Sequence, residues 1–187
     1  MKGLPSPAEI LAFWRDAGRA RWFTADPDFD AAIRDRLLPA YRDAVARGAG
    51  AAPLPDYEGD AVGALALVLL LDQVPRNVFR GTPDAFATDA AARQVADRAL
   101  ARGFDAATDP DLRSFFYVPF MHSEALADQV RCVALYAAID DPDGLEYAEI
   151  HRDIIARFGR FPHRNPILGR DMTPEEARFL SEGGFAG

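Results

Sequence analysis

Of 187 residues, one is a cysteine, Cys132, and one a lysine, Lys2. A lone thiol excludes an internal disulfide framework and fits a reducing compartment. No apolar run reaches the ~20 residues that a membrane-spanning helix needs. The most apolar stretch, AVGALALVLLL from Ala61 to Leu71, meets Asp72. The opening MKGLPSPAEILAFW holds no run of signal-peptide length, so a cytoplasmic, membrane-free protein is expected. Positive charge is scarce too. With 21 basic residues against 29 acidic ones, a net charge of −8 and a pI near 4.8, the chain lacks the basic face that nucleic-acid binding uses. Neither HExxH nor paired cysteines occur, so no metal site is expected and no cofactor is implied. No nucleophile-elbow glycines flank Ser123, which argues against a serine nucleophile there.

Strand-length alternation with β-branched residues is also missing. Helix-start signals recur instead. Ser6-Pro7-Ala8-Glu9 combines an N-cap, a proline at the first helical position and a glutamate placed to close a capping box. Asp26-Pro27 precedes an apolar stripe of Phe29, Ile33, Leu37 and Tyr41, in which Pro39 should kink or divide the helix. Thr173-Pro174-Glu175-Glu176 opens a last helix that Gly183-Gly184 closes. Further helices are predicted over about 59–73, 84–102, 110–119, 123–138 and 143–161. The class is all-α: one domain, 1–187, of helical hairpins packed through short loops. No strict repeat of 34 residues is visible.

Three stretches carry the chemistry. In His151–Arg170, HRDIIARFGRFPHRNPILGR, five arginines face one acid, Asp153, a local balance of +4 in an acidic protein. Two of the three histidines, His151 and His163, sit there with Arg160 and Arg164. The helical part should present Ile150, Ile154, Phe158 and Phe161 on one face, pair Asp153 with Arg157, and end at Pro162. The remainder is an irregular loop pinned by aromatic anchors, in which an arginine's planar fork suits a carboxylate or phosphate. The second stretch, YVPFMHSE (Tyr117–Glu124), brings the remaining histidine, His122, beside Ser123 as a helix N-cap and Glu124 near the positive helix end. The third, LLLDQVPRNVFRGTP (Leu69–Pro83), places Asp72 at the end of a buried helix. It needs a cation there, from Arg76, Arg80 or the 151–170 stretch. Pro75-Arg76-Asn77 echoes His163-Arg164-Asn165, each an Arg-Asn pair in a turn just after proline. For single arginines the plain reading is structural: capping carbonyls and neutralising acids. Trp14 and Trp22 read as core, and Cys132 as a small buried hydrophobe.

With LLLDQVPRNVFRGTPDAFATD, FFYVPFMHSEALADQ and HRDIIARFGRFPHRNPILGRDMTPEEARFL all in order, the chain resembles the domain of unknown function 924 family over nearly its whole length. The resemblance implies an all-helical, tetratricopeptide-like fold and brings no activity, substrate or cofactor.

The residues themselves suggest that Asp72, Arg76, Arg80, His122, Glu124, His151, Arg160, His163 and Arg164 line one polar pocket. That pocket would take a small anionic ligand or an acidic segment of a partner. Two other readings stay open. One is a protein-interaction module with structural arginines. The other is a hydrolase using a His122–Glu124 or His151–His163 pair. The oligomeric state is not legible.

Overall fold

The computed structural model describes residues 3–186, and among them there is no β-strand. The main helices are α1 (Pro7–Ala17), α2 (Pro27–Ala46), α3 (Ala61–Val78), α4 (Asp89–Ala101), α5 (Leu126–Ala137), α6 (Pro142–Phe158) and α7 (Pro174–Ser181). Single turns join them. The chain forms two compact units. Residues up to Arg80 with Asp84–Pro119 make the first; residues from Phe120 onward with Gly81–Pro83 make the second.

The predicted starts of α1, α2 and α7 form as read. Ser6 and Glu9 close a capping box at α1, Thr173 and Glu176 another at α7, and Asp26 accepts the N–H groups of Asp28 and Phe29 at α2. Each cap satisfies amide groups that a helix start leaves unbonded.

In the first unit α1, α2 and α4 pack on α3. By length and composition α3 could cross a membrane, but 83% of it is buried inside the protein, so it is the core helix. Trp14 and Trp22 are buried as expected, and both meet Phe115 edge-on.

Two prolines lie inside helices without ending them. Pro39 does not divide α2, which runs unbroken through it. Pro39 and Asp35, whose carbonyl the missing N–H would have bonded, are both exposed, so that carbonyl is open to solvent. Pro75 does not end α3 either. The helix widens into a π turn over Leu69–Gln73, with the Val74 N–H reaching back to the Leu69 carbonyl, and continues to Val78. Widening relieves the proline clash, and the Leu71 carbonyl that Pro75 cannot bond accepts the Thr88 hydroxyl instead, at 2.5 Å. Thr88→Val is therefore expected to cost about 1–3 kcal/mol, the penalty for a buried acceptor left unmade. Urea unfolding measures it, and a loss near zero would refute this role.

The second unit is built on the α5–α6 hairpin, whose helices pack together across residues 138–141. Gly144 permits the close approach, because a Cβ there would fall 2.3 Å from the Tyr136 ring. Three details depart from expectation. Helix α6 ends at Phe158, not Pro162, capped by Gly159 with φ +68. Its buried face is Ala148, His151, Ile154 and Ile155, while Ile150 lies at the solvent edge. Asp153 pairs with Arg152 and Arg157 with Glu175, rather than with each other.

Candidate anion site in the second unit

The loop after α6 is pinned at several points. Arg160 grips Glu176 with two hydrogen bonds of 2.6 and 2.8 Å and also donates to the Asp171 carbonyl. Glu176 is almost fully buried. The Arg160 bonds, together with the Thr173 N–H, outweigh burial and hold its carboxyl at about 2. Arg170 grips Glu124 in the same forked way, at 2.8 and 3.0 Å, and Glu124 also accepts the Phe161 N–H at 2.9 Å. Burial works against the Glu124 charge. Arg170, the Phe161 amide and the Arg164 charge together win, and its pKa stays below the usual carboxylate value.

These anchors set Phe161, fully buried, at the centre of an aromatic cluster. His151 and His163 pack against it with ring centroids at 5.5 and 5.6 Å, and Phe185 packs on both imidazoles. The Arg164 guanidinium lies 4.5 Å from the Phe161 ring centroid, and the residue is only 6% exposed. An arginine this deep is expensive, and the aromatic face offsets part of its lost hydration.

His151 lies with Nδ1 2.7 Å from the Tyr147 carbonyl oxygen. A carbonyl only accepts, so Nδ1 carries the hydrogen and Nε2 the lone pair. Burial first, then the charges of His122, Arg164 and His163, push the His151 pKa down to about 3, against the pull of Tyr147. Burial and Arg164 likewise push His163 down to about 4, with His122 and Arg170 adding to the shift and Glu124 opposing it. Both imidazoles are therefore neutral near pH 7. All three histidines act on one another, so they share one neighbourhood within this unit. Among the buried polar atoms here, His163 Nδ1, Asn165 Oδ1 and Arg170 Nε have no hydrogen-bond partner among the described residues.

Six of the nine residues singled out in the sequence thus fall in the second unit: His122, Glu124, His151, Arg160, His163 and Arg164. Asp72, Arg76 and Arg80 belong to the first unit and are engaged there. Asp72 finds its cation in Arg76, 3.2 Å away, and Arg76 also binds Asp89 at 2.9 Å. Arg80 forks onto Asp30 and donates to Asn77. The echo between the two Arg-Asn pairs is local only, since Arg76-Asn77 is helical and Arg164 closes a 3₁₀ turn. Ser123 is not the N-cap. Ala125 holds that position, and the buried Ser123 hydroxyl accepts the Ala125 N–H while donating to Asp128. Gln129, fully buried, fixes the turn by donating to the carbonyls of Phe120, Met121 and Ser123. Among the described residues no group of three or more His, Cys, Asp or Glu side chains is placed to hold a metal.

Arg170 and Phe185 were not singled out as site residues from sequence, and Glu176 was read only at the start of the last helix. Arg170 and Glu176 are set by long-range pairs that no local spacing announces. Phe185 had a signal in the glycines before it.

The chain matches the family model described as "Bacterial protein of unknown function (DUF924)" over residues 10–184. It belongs to that family. A solved structure of a protein of unknown function from Agrobacterium tumefaciens is similar at 47% identity and a TM-score of 0.88, covering 95% of this chain and 97% of that one. No curated protein matches. The DUF924 assignment agrees with the all-α class, and neither it nor the Agrobacterium structure carries a named activity.

Proposed function

We propose that this DUF924 protein binds an anionic small molecule, or an acidic segment of a partner, at the cluster of His122, His151, His163 and Arg164. The observation that carries the reading is a deeply buried guanidinium beside neutral imidazoles, with His163 Nδ1 and Arg170 Nε buried nearby and lacking hydrogen-bond partners. Arg164 lowers the pKa of both imidazoles, and at His163 Arg170 adds to that shift while Glu124 opposes it. A bound anion would meet the donors of His163 and Arg170.

The hydrolase reading has less support. A general base works best with a pKa near the operating pH, and the imidazoles of His151 and His163 lie well below it. The interaction-module reading rests on Leu126 and Val130, exposed one turn apart on α5. A cytoplasmic home, without nucleic acid or membrane as partner, remains part of the proposal. The lone Cys132 is fully buried, and burial raises its thiol pKa to about 12, which suits a thiol with no redox task.

The test is thermal unfolding with carboxylates, phosphates and nucleotides. A ligand at ~100 times its Kd adds ~2.7 kcal/mol, or roughly 5–10 °C for a domain of this size. The shift is expected in the wild type and absent in Arg164→Met, which keeps the aliphatic stem over Phe161. Equal shifts in both proteins, or none in either, would count against the site.

A further inference from the structure

An open cleft of about 510 Å³ lies in the first unit, between residues 53–59 and the C-terminal turn of α4. Small-molecule sites commonly occupy roughly 300–1,000 Å³. The lining is mostly apolar, with Pro53, Pro55 and Ala101 exposed beside Arg98 and Arg102. The acids of this segment are already engaged. Glu58 is 7% exposed, and its carboxylate takes a fork from Arg98 at 2.7 and 2.9 Å and the Leu54 N–H at 3.0 Å. Asp56 forks onto Arg47, and Asp60 accepts the Gly63 N–H at the start of α3.

Arg102 stands apart from these pairs. It is exposed, yet it is held at three points. Its guanidinium donates to the Glu58 carbonyl and, at 3.1 Å, to the Gly59 carbonyl, and it lies 4.2 Å from the Phe104 ring centroid. Among the described residues its partners are these two carbonyls and that ring, with no carboxylate. The two bonds use only part of its N–H donors. A long side chain ordered in advance loses less freedom when a ligand arrives. A small inorganic anion would gain the arginine but leave the apolar walls in water, and a neutral chain would gain only the walls.

We infer that this cleft is a second binding site, for a small amphiphile whose anionic head group meets Arg102 and whose apolar body lies against Pro53, Pro55 and Ala101. The site belongs wholly to the first unit and is independent of the cluster around Arg164 in the second.

Calorimetric titration of the full chain near neutral pH with octanoate, octan-1-ol and acetate tests this. Octanoate is expected to bind at least about tenfold more tightly than either of the others, which lack its charge or its chain. Arg102→Gln is expected to weaken octanoate about tenfold, to the level of octan-1-ol. Ala101→Phe, at an exposed position, fills the cleft and is expected to abolish binding with little change in Tm. If that variant does lower the Tm, Arg102→Gln decides. Arg164→Met, in the other unit, is expected to bind octanoate as the wild type does. Octanoate binding that survives both first-unit variants, or that is lost only in Arg164→Met, overturns the inference. So does octan-1-ol binding as tightly as octanoate, or no binding by any probe.

Discussion

Arg76→Met is expected to cost roughly 3–5 kcal/mol of folding stability, the typical loss when one partner of a buried ion pair is removed. Asp72 is 1% exposed and Asp89 about 9%, and both carboxylates bind this guanidinium, at 3.2 and 2.9 Å. The pull of two acids outweighs the burial penalty on Arg76 and raises its pKa. Without it, two negative charges would lie close together beside the π turn of α3, with Gln73 donating to Asp72 at 2.7 Å as a modest remedy. The double variant Arg76→Met with Asp89→Asn is expected to recover part of the loss, because it removes one of the two negative charges. Urea unfolding of the three proteins measures this. A single-variant loss under about 1 kcal/mol, the range of exposed pairs, would mean that water reaches the carboxylates.

The second large effect is acid sensitivity. His151 and His163 bind protons at about 3 and about 4 when folded, against 6.5 when free. Below pH 6.5 the unfolded chain takes up protons that the folded protein refuses, so stability falls as pH falls, down to the folded values. Each histidine contributes a slope approaching ~1.4 kcal/mol per pH unit, so the pair removes several kcal/mol before the native carboxylates protonate. Glu124 and Glu176 have folded pKa values below 4.5, so their contribution is intact above pH 4.5 and fades only under it. The window between pH 6.5 and 4.5 therefore isolates the histidines. His151→Gln, which cannot titrate, is expected to flatten the slope there by roughly half. An unchanged slope would show that His151 protonates freely in the folded state.

Much of the fold was legible because its signals are local. Proline, an oxygen-bearing cap and a glutamate lie within four residues at Ser6 and at Thr173, and both produced the expected helix starts. Local signals also misled. Pro75 read as a stop because its remedy, the Thr88 hydroxyl on the Leu71 carbonyl, comes from 17 residues away. Pro162 read as the end of α6, but Gly159 three residues earlier already held the left-handed cap. The sequence reading put Ile150 on the apolar face of α6 with His151 and Ile155 at its edge, whereas packing turns His151 and Ile155 inward and leaves Ile150 at the rim.

The candidate site divides along the same line. The gathering of Arg and His in 151–170 marked a stretch whose rings do pack together, and His122 acts on the imidazoles there. Residue type did not separate anchoring arginines from the buried one. Arg160 and Arg170 are committed to Glu176 and Glu124, and Arg76 and Arg80 to Asp72, Asp89 and Asp30, all through pairs fixed by tertiary folding. Arg164 lies 4.5 Å from the Phe161 ring centroid, closer than Arg76 to that of Phe86 at 5.9 Å, and it acts on two histidines.

The most direct test of the account is imidazole nitrogen NMR of the wild-type protein, titrated near neutral pH with benzoate and, separately, with inorganic phosphate. The chain has only three histidines, so each ring is resolved. The account predicts that His151 and His163 are neutral before any addition, with His151 protonated on Nδ1, and that both signals move together and saturate as the anion binds. Signals that stay fixed while the anion binds elsewhere, or a His163 that is already charged near neutral pH, would contradict it.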